Sequence, residues 1–205
     1  MENLIFKGGW VMVPIILGSI VALALVLERF WFLWSIRLDV DSFAKKIFSL
    51  VKQGNPEGAA GICAKVSHPL AEVFRVGLEN SDEEASEIER VMEREGGRQI
   101  QQVERNLNFL VVVIGVEPLL GFLGTILGLI QAFMAWERLS TSVTVSALAA
   151  GIYQAMLTTA AGLIVAIPYF VIYHFFLGKV HAISQDINHY GDELVSLLRK
   201  SRGRR

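Results

Sequence analysis

Residues 109–135 read FLVVVIGVEPLLGFLGTILGLIQAFMA, and residues 143–177 read VTVSALAAGIYQAMLTTAAGLIVAIPYFVIYHFFL. Each run is apolar enough to cross a bilayer, which takes about 20 residues of helix. The few polar and small residues are sorted. In an ideal helix each residue turns about 100°, so Glu117, Gly121, Gly124, Thr125, Gly128 and Gln131 fall within roughly 120° of arc. On the second run Ala147, Gly151, Gln154, Ala155, Thr158, Thr159 and Gly162 fall within roughly 140°. A helix merely dissolved in lipid has no reason to sort its residues this way. Small and polar side chains on one face mean that this face meets protein or water rather than acyl chains. The expectation is an integral membrane protein with an oligomeric or pore-lining interior.

Composition agrees with that class. Of 205 residues 53% are hydrophobic, and the charges lie between and after three nearly uncharged blocks. The net charge of −1 gives no reason to expect a nucleic-acid partner. The single cysteine, Cys63, permits no internal disulfide. The first apolar block runs from Trp10 to Leu27, about 18 residues, near the minimum for a span. Trp10 at one end and Trp31 and Trp34 at the other suit the membrane interfaces. A cleaved signal peptide fits less well, because the basic start is weak and Glu28-Arg29-Phe30-Trp31 is a poor cleavage site.

Lys and Arg set the orientation. Residues 35–106 and 178–205 are rich in them, whereas the opposite side has only Lys7 and Arg138. The positive-inside rule places the rich segments in the cytoplasm, with the N-terminus outside. The expected order is therefore a periplasmic end and first span (1–34), a cytoplasmic helical segment (35–106) and a second span (107–136). A short periplasmic loop (137–144), a third span (145–178) and a cytoplasmic amphipathic helix with a basic tail (179–205) follow. Asp39 or Asp41 is expected to cap the first cytoplasmic helix. Gly54-Asn55-Pro56 and Ser67-His68-Pro69 are expected to break the chain. Ser81-Asp82-Glu83-Glu84 is expected to open a helix that continues unbroken into the second span. In the tail Val180, Ile183, Ile187, Tyr190, Leu194, Leu197 and Leu198 form an apolar stripe. That stripe packs either on a neighbouring subunit or within the chain.

Enzyme signatures are absent: no Gly-rich phosphate loop, no nucleophile elbow and no metal-binding His or Cys cluster. His174, His181 and His189 are spaced too widely along one helix to share a metal. No metal and no cofactor is expected. Glu117 is the one carboxylate well inside a span, about 12 Å along the helix from Phe109. An ionisable group there costs about 2.5–3.5 kcal/mol on insertion scales, so it has either a structural partner or a place on a proton path. Thr125 and Thr159 are mid-span hydroxyls. Each either bonds the carbonyl one turn earlier or lines a polar pathway. Glycines 121, 124 and 128 allow close helix approach, and Pro168 is a possible kink.

The run from Pro118 through Gly121, Gly124, Thr125 and Gly128 to Ile130, followed by Ala132-Phe133, resembles the second-span signature of the MotA/TolQ/ExbB family. Thr158-Thr159 through Gly162 to Pro168 resembles its third-span signature. Three spans in about 200 residues are similar to the ExbB and TolQ branches rather than the longer, four-span MotA branch. The resemblance implies an all-α membrane protein assembling as a ring, typically a homopentamer, in the bacterial inner membrane. The ring would surround two membrane helices of an ExbD- or TolR-like single-span partner, which supplies an essential aspartate. Protons would cross toward the cytoplasm, and the work would reach a TonB- or TolA-like effector at the outer membrane. On that template Thr125 and Thr159 line the pore, with Thr158, Gln154 and Glu117 beside them. Gly121, Gly124, Gly128, Gly151, Ala155, Gly162 and Pro168 pack around the partner.

One residue departs from the pattern. Relatives often carry a glutamate five residues before the third-span threonine, where this chain has Gln154, which cannot titrate. Glu117 is then a candidate proton group, or the partner aspartate titrates alone. Two functions compete: an ExbB-like motor subunit, with TolQ-like envelope maintenance or motility as variants, and a scaffold that conducts nothing. An intramembrane enzyme would need a paired nucleophile and base that the chain lacks.

Overall fold

The computed structural model describes residues 7–138 and 145–202. Most of the expected 137–144 loop lies outside the described residues, as do the side chain of Ala147 and the tail residues Arg204 and Arg205. Seven helices make up the described chain: α1 (Met12–Ser35), α2 (Val40–Lys52), α3 (Pro56–Cys63), α4 (Pro69–Glu79), α5 (Ala85–Glu104), α6 (Leu107–Arg138) and α7 (Val145–Arg202). Among the described residues three helical stretches are long and apolar enough to cross a membrane. They lie in α1, α6 and the first part of α7, so the protein is an all-α, multi-pass membrane protein.

The chain divides into two units. A span unit comprises Met1–Arg29 with Asn106–Phe175, and an extramembrane unit comprises Phe30–Arg105 with Phe176–Arg205. In the extramembrane unit, local sequence sets the starts of α2, α3 and α4. Asp39 caps α2, its carboxylate accepting from the Ser42 amide at 3.3 Å. Gly54 takes the left-handed conformation, φ 77°, that ends the turn after α2. Asn55 then caps α3 through the Gly58 amide at 2.8 Å, with Pro56 in the first turn where it lacks no bond. His68 caps α4, its Nδ1 accepting from the Leu70 amide at 3.1 Å. Burial lowers the His68 pKa to about 4, so near neutral pH its unprotonated Nδ1 is free to accept.

These helices bury one apolar face each around Phe74. The Phe74 ring lies 6.2 Å from that of Phe43 and 5.8 Å from that of Phe48. Ile88 and Met92 of α5 and Ile187, Leu194 and Leu198 of α7 complete the core. The tail stripe thus packs within the chain, and the Tyr190 hydroxyl donates to Asp41 on α2 at 3.3 Å. Cys63 sits in this core, and burial pushes its thiol up to about 12, which leaves it inert. Outside, Arg75 pairs with both Glu72 and Glu79 one turn away on α4, holding the Glu72 carboxyl below its usual range.

The helix expected to run unbroken into the second span is broken. It starts at Ala85, after an extended Glu84 that makes no side-chain cap, and it stops at Glu104. Arg105 is extended and Asn106 has φ 71°. Asn is the residue other than Gly that most readily takes this left-handed geometry. Its side-chain amide donates to Glu28 of α1 at 3.1 Å, and its carbonyl accepts from the Leu110 amide to start α6. Helical periodicity on both sides of Asn106 is good, so only the backbone conformation of two residues, Arg105 and Asn106, separates the two helices.

In the span unit, α6 and α7 lie against each other along their small residues. A Cβ on Gly128 would stand 2.7 Å from the Gly151 carbonyl, and one on Gly151 would stand 2.6 Å from the Gly128 carbonyl. The two backbones meet at a distance only glycine permits. α1 packs on one flank of this seam: Val11, Met12 and Ile15 touch Leu120, Leu127, Ala161 and Val165. The Tyr169 hydroxyl donates to the Ser19 carbonyl at 3.2 Å. Large apolar side chains point outward, Trp136 at 54% and Phe122 at 62% exposure, as lipid or a further chain requires.

Candidate functional site: a threonine pair beside a glycine seam

The small-residue arcs of the two spans separate into three strips. The middle strip is the seam itself. Gly121, Gly124 and Gly128 on α6, and Gly151, Ala155 and Gly162 on α7, are all buried. A Cβ on Gly121 would stand 3.0 Å from the Thr158 carbonyl, and one on Gly162 would stand 2.6 Å from the Glu117 carbonyl. These residues were expected to pack around a partner. In the structure they join two helices of the same chain, because their lack of side chains lets α6 and α7 close on each other first. Pro168 is on the outside of α7, exposed, and the helix continues through it.

One edge of the arcs carries the threonines. Thr125 and Thr159 are both half-buried and hydrogen-bond each other across the seam. The Thr125 hydroxyl also lies 3.3 Å from the Gly121 carbonyl and 3.2 Å from the Ala155 carbonyl. Thr159 reaches the Gly121 carbonyl at 3.2 Å, on the other helix rather than its own. Two hydroxyl protons serve this cluster, and each hydroxyl oxygen has two lone pairs. Thr159 donating to Gly121 and Thr125 donating to Thr159 or Ala155 satisfies both donors and leaves acceptor capacity on the pair. Both hydroxyls can also rotate, so the pair can either donate to or accept from a further group. One turn to either side, Phe122 and Leu129 on α6 and Met156 and Leu163 on α7 share this flank. Phe122, Met156 and Leu163 are exposed there. The flank is therefore an apolar stripe with two hydroxyls at its centre, on the side of the seam away from α1.

Thr158 belongs elsewhere. It is fully buried and bonds its own helix, at 3.2 Å to the Gln154 carbonyl and 2.9 Å to the Ala155 carbonyl. The opposite edge of the arcs carries the glutamines. Gln131 and Gln154, with Lys7 and Tyr153, line an open depression of about 710 Å³. The Gln154 amide also lies against Gly9. Lys7 sits 5.8 Å from the centre of the Tyr153 ring. Gln154 therefore does not share the threonine flank. Its side chain leaves α7 about 140° away from that of Thr159.

Glu117 is the largest displacement from expectation. It is not on the threonine flank but inside the three-helix packing, at 1% exposure. A Cβ on Gly18 of α1 would collide with its Oε1, and its Oε2 has no hydrogen-bond partner among the described residues. Gly18 was not singled out in the sequence; its signal was a Gly-Ser pair inside an apolar span. Glu28, Arg29 and Asn106 were also not anticipated as a cluster. Arg29 is buried at 3% and its Nε donates to Glu28 at 2.6 Å.

The sequence pattern of the MotA/TolQ/ExbB proton channel family matches residues 65–189, more than half of the chain and the whole of both threonine-bearing segments. The chain belongs to this family. It is 31% identical over 161 residues to the putative biopolymer transport protein ExbB-like 3 of Synechocystis sp., a match covering 78% of this chain and 77% of that protein. It is 35% identical over 111 residues to the Tol-Pal system protein TolQ of Haemophilus influenzae, covering 54% of this chain and 48% of TolQ. It is 29% identical over 180 residues to the biopolymer transport protein ExbB of Salmonella typhimurium, covering 83% and 72%.

Proposed function

We propose that the chain is the ring subunit of a proton-motive-force-driven motor in the bacterial inner membrane, most like ExbB. Its N-terminus would lie in the periplasm and its C-terminus in the cytoplasm, the orientation that Lys and Arg favour. The observation that carries this reading is the threonine pair, held half-exposed in an otherwise apolar stripe. An apolar membrane helix bearing one carboxyl group fits such a stripe. In this account two helices of an ExbD- or TolR-like partner run along the threonine flank inside a ring, taken as a homopentamer. The partner's membrane aspartate exchanges hydrogen bonds with Thr125 and Thr159. A hydroxyl serves that carboxyl in both states, donating to the carboxylate and accepting from the acid. The charged form is thereby never left bare in a low-dielectric setting.

Gln154 and Gln131 stand at the opposite edge, so the ring side of the pathway titrates nothing beside the threonines. The partner carboxyl is the carrier. Each charge crossing 100 mV makes about 2.3 kcal/mol available. That work would pass to a TonB-like effector and energise outer-membrane transport. A TolQ-like role in envelope maintenance, through TolA, is the nearest variant, because ExbB-named and TolQ-named relatives are both similar to this chain. A motility motor is a more distant one. A non-conducting scaffold is the second reading, favoured by the absence of a titratable group at position 154.

Proton uptake into liposomes under an imposed voltage separates motor from scaffold. The chain is co-purified with its single-span partner, and the same complex is made with the partner aspartate replaced by asparagine. Uptake that disappears with the asparagine supports the motor. An intact complex that takes up no protons in either form supports the scaffold.

A further inference from the structure

We propose that Glu117 is an internal proton-binding site of the protomer, covered by Gly18 of α1 and separate from the threonine flank. The proposal does not rest on conduction along that flank.

Three observations support it. First, the side chain is sealed and its Oε2 has no hydrogen-bond partner among the described residues. Second, α1 lies directly against its carboxyl group, and α7 lies against its main chain. A Cβ on Gly18 would collide with Oε1, and the Val113 Cγ1 methyl stands 3.7 Å from the same point. Gly162 of α7 brings its backbone against the Glu117 carbonyl. Third, among the described residues the spans packed around it carry no cation at its depth. α1 is uncharged from Met12 to Leu27, and Glu28 and Arg29 beyond are paired with each other. α6 has no charged residue but Glu117 between Leu107 and Trp136. α7 has none between Leu148 and Tyr173; its titratable groups there are Tyr153, beside Lys7, Tyr169, which donates to Ser19, and Tyr173.

A buried carboxylate without a counter-charge must be neutralised. A bound metal ion would need several oxygen ligands around it. Among the described residues no group of three or more His, Cys, Asp or Glu side chains is placed to hold one, so the neutralising species is a proton. Release of that proton would leave a bare charge beneath α1. It therefore requires the α1 contact at Gly18 to open far enough to admit water. Proton occupancy at Glu117 and closure of α1 are thus one equilibrium.

Infrared difference spectroscopy on the full chain in lipid nanodiscs tests this. The expected result is a carbonyl band of a protonated carboxylic acid that moves on carboxyl-13C labelling of glutamate, which needs no substitution, and is missing in Glu117→Gln. Adding sodium should leave the band in place. Gly18→Ala, a change that otherwise favours helix, should shift the band or speed its hydrogen–deuterium exchange several-fold. Absence of the band from wild-type protein at every pH where the chain stays folded would overturn the proposal, as would its loss on adding sodium. An unchanged band and exchange rate in Gly18→Ala would overturn the role of α1 as cover. Because proton flux is not the readout, a band that persists in a non-conducting complex overturns the motor and not this site.

Discussion

The two units are built inside out with respect to one another. The extramembrane unit buries large side chains, with Phe43, Phe48 and Phe74 in contact, and shows its ion pairs to water. The span unit joins α6 and α7 through glycine, alanine and threonine and shows its phenylalanines and tryptophans to the outside. The difference follows from the solvent. Water drives large apolar groups together. Lipid does not, so close approach and hydrogen bonds have to join the spans. Functional groups are consequently found at different depths. In the extramembrane unit a buried polar group such as His68 is a cap. In the span unit the polar groups at the edges of the seam, Thr125 and Thr159 on one side and Gln131 and Gln154 on the other, are at most partly covered.

Reducing size should harm only the extramembrane unit. Phe74→Ala is expected to cost about 3–5 kcal/mol there, seen as a lower denaturant midpoint of the full chain in detergent. Phe122→Ala, on the outer face of α6, should leave that midpoint nearly unchanged. Increasing size should harm the span unit. Gly151→Leu places a side chain where the α6 backbone already stands, and a cost of about 1–3 kcal/mol or more is expected. Cross-linking of engineered cysteines on α6 and α7 would report it as lost proximity. A Gly151→Leu chain that keeps this proximity and stability would remove the glycine seam as the basis of span packing.

A smaller effect separates the units by pH. The folded chain holds the His68 pKa down at about 4, while the unfolded value is 6.5. Between these values the unfolded chain binds a proton that the folded chain refuses, so stability falls as pH drops through that window. The loss is expected to be on the order of 2–3 kcal/mol at its low end. His68→Asn keeps a capping oxygen and should flatten the acid side of the melting-temperature profile. An unchanged profile would mean that His68 is accessible and already protonates freely.

Much of this architecture was legible from residue pattern, for reasons that differ by unit. Three uncharged blocks mark the spans because charge is so costly in lipid. Asp39, Gly54-Asn55-Pro56 and His68-Pro69 mark helix ends because each satisfies a specific backbone need. The break at Arg105–Asn106 was not legible, since it rests on the backbone angles of two residues within good helical periodicity. The division of the polar arcs was not legible either. A helical wheel places Glu117, Thr125, Gln154 and Thr159 on polar faces, but only the positions of α1 and the opposing helix decide which edge is sealed. Those positions depend on Gly18 and on the seam glycines, whose signal is the absence of a side chain.

The central claim is that the threonine flank, and neither the sealed interior nor the glutamine edge, faces the proton pathway. Thr159→Val tests it most directly, because it keeps the shape and removes only the hydroxyl. Proton uptake would be measured in liposomes bearing the variant with its single-span partner, beside Thr158→Val, whose hydroxyl bonds only its own helix. The account predicts that uptake is lost in Thr159→Val, with assembly intact, and kept in Thr158→Val. Wild-type uptake by the Thr159→Val complex would contradict it.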